Sequence, residues 1–502
     1  MSIIKKLASQ TAVYGLSTII GRFLNYLLVP LHLKIFAPFE YGIVTDLYAY
    51  IAFLNVLYTY GMETAYFRFA TKKDSSSAHS YTNGMSSIFL TSMLFSGSIY
   101  LFAGSIAEIL GYPDKKNVIE WIAIILATDA IVAIPFAKLR LLNRVYLFAG
   151  AKISSIILNI FFNIFFLIVC PNVMNDGFFP SLKPLIESFY DPKLGIGYIF
   201  AANLMSNLAY FPFLIPSFRG LKLKIDFVAL KAMFIYGFPI LIMGIAGTVN
   251  DMFSRIMLKE LLPVNFYPGK TSLAALGIFG ACYKLAVFMI LAVQAFRYAS
   301  EPFFFSNSHD KNAPALFGRV MKYFVIVTVS IFLFVSINVD WLANILQITD
   351  VYKEGLIIVP VLLMANLFMG IYFNLSVWYK LTDKTYWGTY ITIGGALITV
   401  AANYFLIPKI GYMGSVWATF SAYFLMSAAS YFIGQKYYPV PYPLISIGFY
   451  ILLGVGLYQI SLILAADGIN GLLYDNLLIL GYIFIVFIKE AFIVRRINPI
   501  KI

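Results

Sequence analysis

Apolar runs of about twenty residues recur along the whole chain, broken by short stretches of Lys, Asp, Asn, Gly and Pro. A helix rises about 1.5 Å per residue and the hydrocarbon layer of a bilayer is about 30 Å thick, so about 20 apolar residues cross it. By that measure the chain crosses about fourteen times, at about 12–35, 41–63, 84–110, 118–138, 150–170, 195–216, 232–254, 273–296, 320–340, 355–378, 386–407, 412–434, 443–465 and 472–493. The longest connection, about 171–194, is too short to bury a core of its own. The predicted fold class is an all-α polytopic membrane protein, and whatever chemistry it performs takes place within the bilayer.

Basic residues are unevenly divided between alternate connections. Lys72 and Lys73, Arg140 and Arg144, Lys222 and Lys224, and Arg495 and Arg496 all fall on the same side as Lys5 and Lys6. Basic loops are retained in the cytoplasm, so both termini are expected to be cytoplasmic. Of the 502 residues 61% are hydrophobic and 12% charged, about half the charged share of an ordinary soluble domain. The net charge of +13 would suit nucleic acid only if a water-soluble basic face existed. Basic loops facing an anionic inner leaflet account for it, so membrane lipids are expected partners and nucleic acid is not. Trp121, Trp341, Trp378 and Trp387 sit near predicted span ends, as interfacial belt residues do. Cys170 and Cys282 lie in apolar runs far from any metal-ligand spacing and read as small core residues.

The chain carries an internal repeat. Arg22 is followed eight residues later by Pro30, and Arg255 eight later by Pro263. Tyr41-Gly42-Ile43 and Leu276-Gly277-Ile278 come next in each half, with Tyr48 and Tyr283 at one offset and Glu63 matching Glu301. Six spans separate the copies, so the halves run in the same direction and imply two pseudo-symmetric six-helix lobes. The expected division is 1–225 (helices one to six), 226–438 (seven to twelve) and a C-terminal helix pair at 439–502.

Charges within spans are costly and usually line a wet cavity or pair with one another. Here they are Arg22, Asp46, Glu63, Asp129, Asp251, Arg255 and Lys284, with Glu301 near a span end; most lie on the duplicated elements. Asp251 and Arg255, four apart on a helix, are also placed to neutralise each other. The many Asn residues in the spans read mainly as helix-to-helix hydrogen bonds. Pro135, Pro239 and Pro360 mark expected bends.

Ala12-Val13-Tyr14-Gly15-Leu16-Ser17 through Gly21-Arg22, Phe39 to Ile43 with Tyr60 to Thr64, Ser254-Arg255 to Pro263, Ala281 to Ala286, and Ile407 to Gly411 followed by Gly414 stand in a telling order. In that order, over nearly the whole chain, the sequence resembles the polysaccharide transporters, or O-antigen (Wzx-type) flippases. These belong to the multidrug/oligosaccharidyl-lipid/polysaccharide (MOP) exporter superfamily. The resemblance implies two six-helix lobes around a cavity open alternately to either side. It also implies outward transfer of an undecaprenyl-diphosphate-linked oligosaccharide across a bacterial cytoplasmic membrane. A polysaccharide polymerase and glycosyltransferases would be neighbouring partners. Drug or small-solute/cation antiporters share the superfamily and are the alternative reading.

A lipid diphosphate crossing a bilayer needs fixed cations that replace water, which makes Arg22, Arg255 and Lys284 the candidate substrate-binding residues. Asp46, Glu63, Asp129, Asp251 and Glu301 are the candidates for ion coupling or gating, Asp129 foremost for coupling, with Glu63 and Glu301 closer to gates or interfacial anchors. No Gly-rich phosphate loop, metal-ligand cluster or paired catalytic carboxylate is visible, so an enzyme is not expected and no cofactor is called for. Energy is expected from an H+ or Na+ gradient, the membrane potential or product flux.

Overall fold

The computed structural model describes residues 24, 26–71, 77–175, 177, 179–219, 223–307, 310–466 and 472–497. Arg22 and most of the opening predicted span lie outside them. The described residues form helices and connections, with no strand among them. We number the helices α1 (Val29–Ile35), α2 (Pro38–Ala70), α3 (Ser77–Leu101), α4 (Pro113–Leu141), α5 (Val145–Met174), α6 (Gly197–Phe218) and α7 (Phe227–Leu261). They continue as α8 (Ser272–Phe305), α9 (Ala313–Ile337), α10 (Asp350–Leu381), α11 (Tyr386–Ile410), α12 (Tyr412–Tyr437), α13 (Leu444–Ala465) and α14 (Leu472–Ile497). Among the described residues 12 helices, α2 to α13, are long and apolar enough to cross a membrane. These twelve, with α14 as a further long helix, are approximately consistent with the expected count of about fourteen.

Local chemistry sets the helix limits. Pro38 opens α2, and the Glu40 carboxylate accepts the Ala37 N–H at 3.0 Å, which satisfies a donor the helix cannot. Asp226 caps α7 by accepting from the Val228 and Ala229 N–H groups at 2.9 and 3.2 Å. The Thr271 hydroxyl caps α8 through the Ala274 N–H at 3.2 Å. Gly411, at φ 59°, makes the tight turn between α11 and α12.

Several spans are not regular. Two left-handed residues, Tyr60 (φ 33°) and Gly61 (φ 73°), break α2. A π-helical turn interrupts α5 at Phe165–Val169 and α7 at Val249–Phe253, and a 3₁₀ turn interrupts α8 at Lys284–Ala286 and α10 at Glu354–Ile358. Pro135 and Pro239 lie inside α4 and α7.

Packing divides the chain into two compact units, Met1–Ile256 and Met257–Ile502, with the division falling inside α7. In the first unit α4 is central: α2, α3 and α6 pack on it, α6 packs on α5, and α2 packs on α3. The first part of α7 packs on α2 and α3. In the second unit α10 takes the place of α4: α8, α9 and α12 pack on it, α12 packs on α11, and α8 packs on α9. Helix adjacency therefore recurs at an offset of six, as the sequence repeat predicts. The C-terminal pair α13 and α14 packs on α9.

The repeat reaches individual residues. Glu63 on α2 pairs with Arg140 near the end of α4, and Glu301 on α8 pairs with Lys380 near the end of α10, the latter at 2.7 Å. Large apolar side chains such as Leu94, Leu101, Leu397 and Leu452 are exposed, an arrangement stable only where lipid covers them. Trp378 departs from the expected belt. It is buried, donates to the Ser430 hydroxyl at 3.2 Å, and lies where a Cβ on Gly434 would come within 2.7 Å. Cys170 and Cys282 are both free thiols and buried, as expected.

Candidate functional site

The first unit holds an open polar cavity of about 640 Å³ between α2, α4, α5 and α6. Its wall carries Asp129 and Arg140 from α4, Glu63 and Asn55 from α2, Lys152 and Asn159 from α5, and Asn203 and Asn207 from α6. Residues four apart lie on one helix face, which is why Asn203 and Asn207 enter together.

Asp129 is the focus. The Asn207 amide donates to its Oδ1 at 2.9 Å, and Asn55 and Lys152 also act on the carboxylate. Asn203 donates to the Tyr48 hydroxyl at 3.1 Å, and Tyr48 stacks on Phe200 at 5.1 Å, which fixes that wall. The Lys152 ammonium lies over the Phe136 and Tyr210 rings at 4.4 and 4.8 Å, so aromatic faces support the cation beside the acid. At one end Arg140 pairs with Glu63 and sits over Phe67 at 5.1 Å. Carboxylate, amide and hydroxyl oxygens converge here, the donor types that suit a hard monovalent cation or a proton. Among the described residues no group of three or more His, Cys, Asp or Glu could hold a metal ion.

The expected site residues are distributed as follows. Glu63 and Asp129 share the cavity. Asp46 is fully buried and accepts from the Tyr112 hydroxyl, just before α4, at 2.8 Å. Asp251 lies in the π-helical turn of α7 and Arg255 follows it; the guanidinium is buried and donates to the Asp251 carbonyl oxygen and the Met252 sulfur, both at 2.7 Å. Lys284 begins the 3₁₀ turn of α8 and is half-buried. Glu301 is held by Lys380.

Sequence reading did not single out Lys152 or Arg140, because both sit close enough to span ends to pass as loop cations. The asparagines were visible only as scattered polar residues. Their convergence on Asp129 depends on which helix faces meet, and only the i, i+4 spacing of Asn203 and Asn207 hinted at it.

Residues 34–174 match the family model described as "Polysaccharide biosynthesis protein". No curated protein sequence matches. Among solved structures, "Lipid II flippase MurJ, inward closed conformation" superposes with a TM-score of 0.67 at 14% identity, over 96% of this chain and 98% of that one. A multidrug resistance MATE family transporter of the MOP superfamily, inward-facing, gives 0.62 at 12% identity over 82% and 93%. The MATE transporter ClbM in complex with Rb+ gives 0.55 at 12% identity over 88% and 97%.

The fold is that of the MOP exporters.

The sequence resemblance is supported by the family model over residues 34–174 and by a fold shared with the MurJ flippase and MATE transporters along most of the chain. This is a multi-pass membrane protein whose structural neighbours are transporters and flippases.

Proposed function

We propose that this MOP-fold chain is a flippase. Its cargo on this reading is an undecaprenyl-diphosphate-linked oligosaccharide, a repeat unit of O-antigen, capsule or exopolysaccharide. The carrier moves it from the inner to the outer leaflet of a bacterial cytoplasmic membrane by alternating access. The observation that carries the reading is the match of residues 34–174 to a polysaccharide biosynthesis family within a chain that folds like a lipid flippase end to end. The functional lobes are 1–225 and 226–438, with 439–502 as an accessory helix pair, and both termini are cytoplasmic. Membrane lipids surround it, and a polymerase and glycosyltransferases supply and consume its cargo.

In this reading Arg22, Arg255 and Lys284 take the diphosphate, because a cation fixed at mid-depth offsets the lost hydration of the phosphates. Asp129 binds the coupling H+ or Na+ in its asparagine-lined cavity. Asp46, Glu63, Asp251 and Glu301 serve coupling or gating, Glu63 and Glu301 through their pairs with Arg140 and Lys380. The chain performs no covalent chemistry.

The test is turnover of a fluorescent undecaprenyl-diphosphate oligosaccharide in proteoliposomes. Arg255→Ala and Lys284→Ala should each slow it about tenfold or more, the worth of one charge-assisted hydrogen bond. Turnover no faster than in empty vesicles would reject the flippase. The likeness to MATE transporters and the Asp129 cavity favour a drug or small-solute/cation antiporter as the second reading, which predicts cation-driven efflux of a dye from the same vesicles.

A further inference from the structure

A second cavity, of about 880 Å³, lies between α2, α3 and α7. Its lining is far more apolar than that of the Asp129 cavity. Its lining includes Leu57, Phe95, Phe234 and Ile235, all exposed at the surface of the bundle, so it is an open groove. The Tyr60 and Ser87 hydroxyls at its wall are 2.7 Å apart, and Thr91 donates to Tyr60 at 3.5 Å. These polar atoms satisfy one another and ask for no water. Among the lining residues only Lys231 is charged, and it sits near the start of α7.

The groove is firmly built at that end. The Asp226 N–H donates to Asn83 at 2.7 Å and the Lys224 N–H to the Ser86 hydroxyl at 3.1 Å, which fastens the start of α7 to α3. Lining residues run along α7 from Phe227 to Leu241. From Lys231, at the headgroup level, to Leu241 the ten residues of helix rise about 15 Å, the depth of hydrocarbon in one leaflet. The uneven distribution of basic loops assigns the Lys231 end to the cytoplasmic side.

We infer that this groove is a binding site for an anionic glycerophospholipid of the cytoplasmic leaflet. One acyl chain lies along α7 against Leu57, Phe95 and Phe234, and the phosphate meets the Lys231 ammonium at the mouth. The surrounding medium at this depth is lipid, the length fits a single leaflet, and the lone cation selects charge at the headgroup level. Neither Arg255 nor Lys284 lines the groove, so it describes a resident lipid and not the cargo.

The experiment uses the full chain in phosphatidylcholine vesicles containing a trace of phosphatidylglycerol with a photoactivatable acyl chain, or the matching phosphatidylcholine probe. Cross-linked peptides are mapped by mass spectrometry. Peptides bearing Leu57, Phe95 and Phe234 should be labelled about fivefold more by the anionic probe, the preference expected of one cation at the membrane surface. Lys231→Gln should bring the two probes to parity, and Ser98→Trp, which fills the groove from an exposed position, should remove labelling by both. Groove peptides labelled no more than the exposed faces at Leu397 and Leu452 would overturn the site, as would an anionic preference that survives Lys231→Gln.

Discussion

Asp129 is held by a neutral amide on one side and has a lysine beside it, so its charge can be exchanged without dismantling its surroundings. Asp129→Asn keeps the shape and removes the charge. If this residue couples transport, turnover in that variant should no longer respond to an imposed H+ or Na+ gradient while leak down the cargo gradient persists; proteoliposome assays with and without the gradient decide this. Glu63 and Arg140 are each about one third exposed, so water screens their pair. A double-mutant cycle with Glu63→Gln and Arg140→Gln should give a coupling of at most about 1 kcal/mol in detergent unfolding. Asp129 was legible in the sequence as an acid inside a span. Its asparagine partners were not, because an amide in a helix says nothing of the helix it will face. Trp378 misled for a related reason: its place in the sequence suits a belt, and only the missing side chain of Gly434 makes room for it inside.

At the level of helices, the break in α2 depends on Gly61. Its φ of 73° disfavours any side chain, and a Cβ there would lie 2.5 Å from the Gly237 carbonyl oxygen. Gly61→Ala should therefore cost more than the 1–2 kcal/mol of left-handed strain, seen as lost monodisperse protein on size exclusion. The α7 cap makes a pH prediction. Hydrogen bonds from the Ala229 and Val228 N–H groups, with help from His79, hold the Asp226 carboxyl below its ordinary value against the opposing effect of desolvation. A carboxyl depressed in the folded state stabilises it above the unfolded value, about 3.9, and that contribution is lost as pH falls through the lower folded value. Acid should loosen the start of α7 in the native chain more than in Asp226→Asn, measured by amide exchange of the α7 N-terminal peptide. At the other end of the chain, Lys322 on α9 pairs with Glu490 on α14, and the Tyr450 hydroxyl of α13 donates to the same carboxylate at 2.6 Å. Both charges are nearly buried, so Glu490→Gln should cost about 3–5 kcal/mol, whereas Lys322→Met with Glu490→Leu should recover most of it.

For the molecule as a whole, span count, helical class and duplication were legible from hydropathy and four ordered matches, because a bilayer admits few backbone solutions and a repeat leaves its spacing behind. Two of the irregular turns were not legible: neither Val249–Phe253 nor Lys284–Ala286 contains a proline or glycine. Those turns fall beside Arg255 and at Lys284, so the least predictable backbone carries two of the three proposed diphosphate ligands. The paired acids have a further bearing on how the chain is made. Glu63 finds Arg140 within 77 residues, and Glu301 finds Lys380 within 79. Neither contact waits for the other half, so a ribosome that has delivered α2 to α4 to the membrane has already delivered everything their tie requires. The first bundle can be assembled during synthesis, while the sequence of the second is still untranslated.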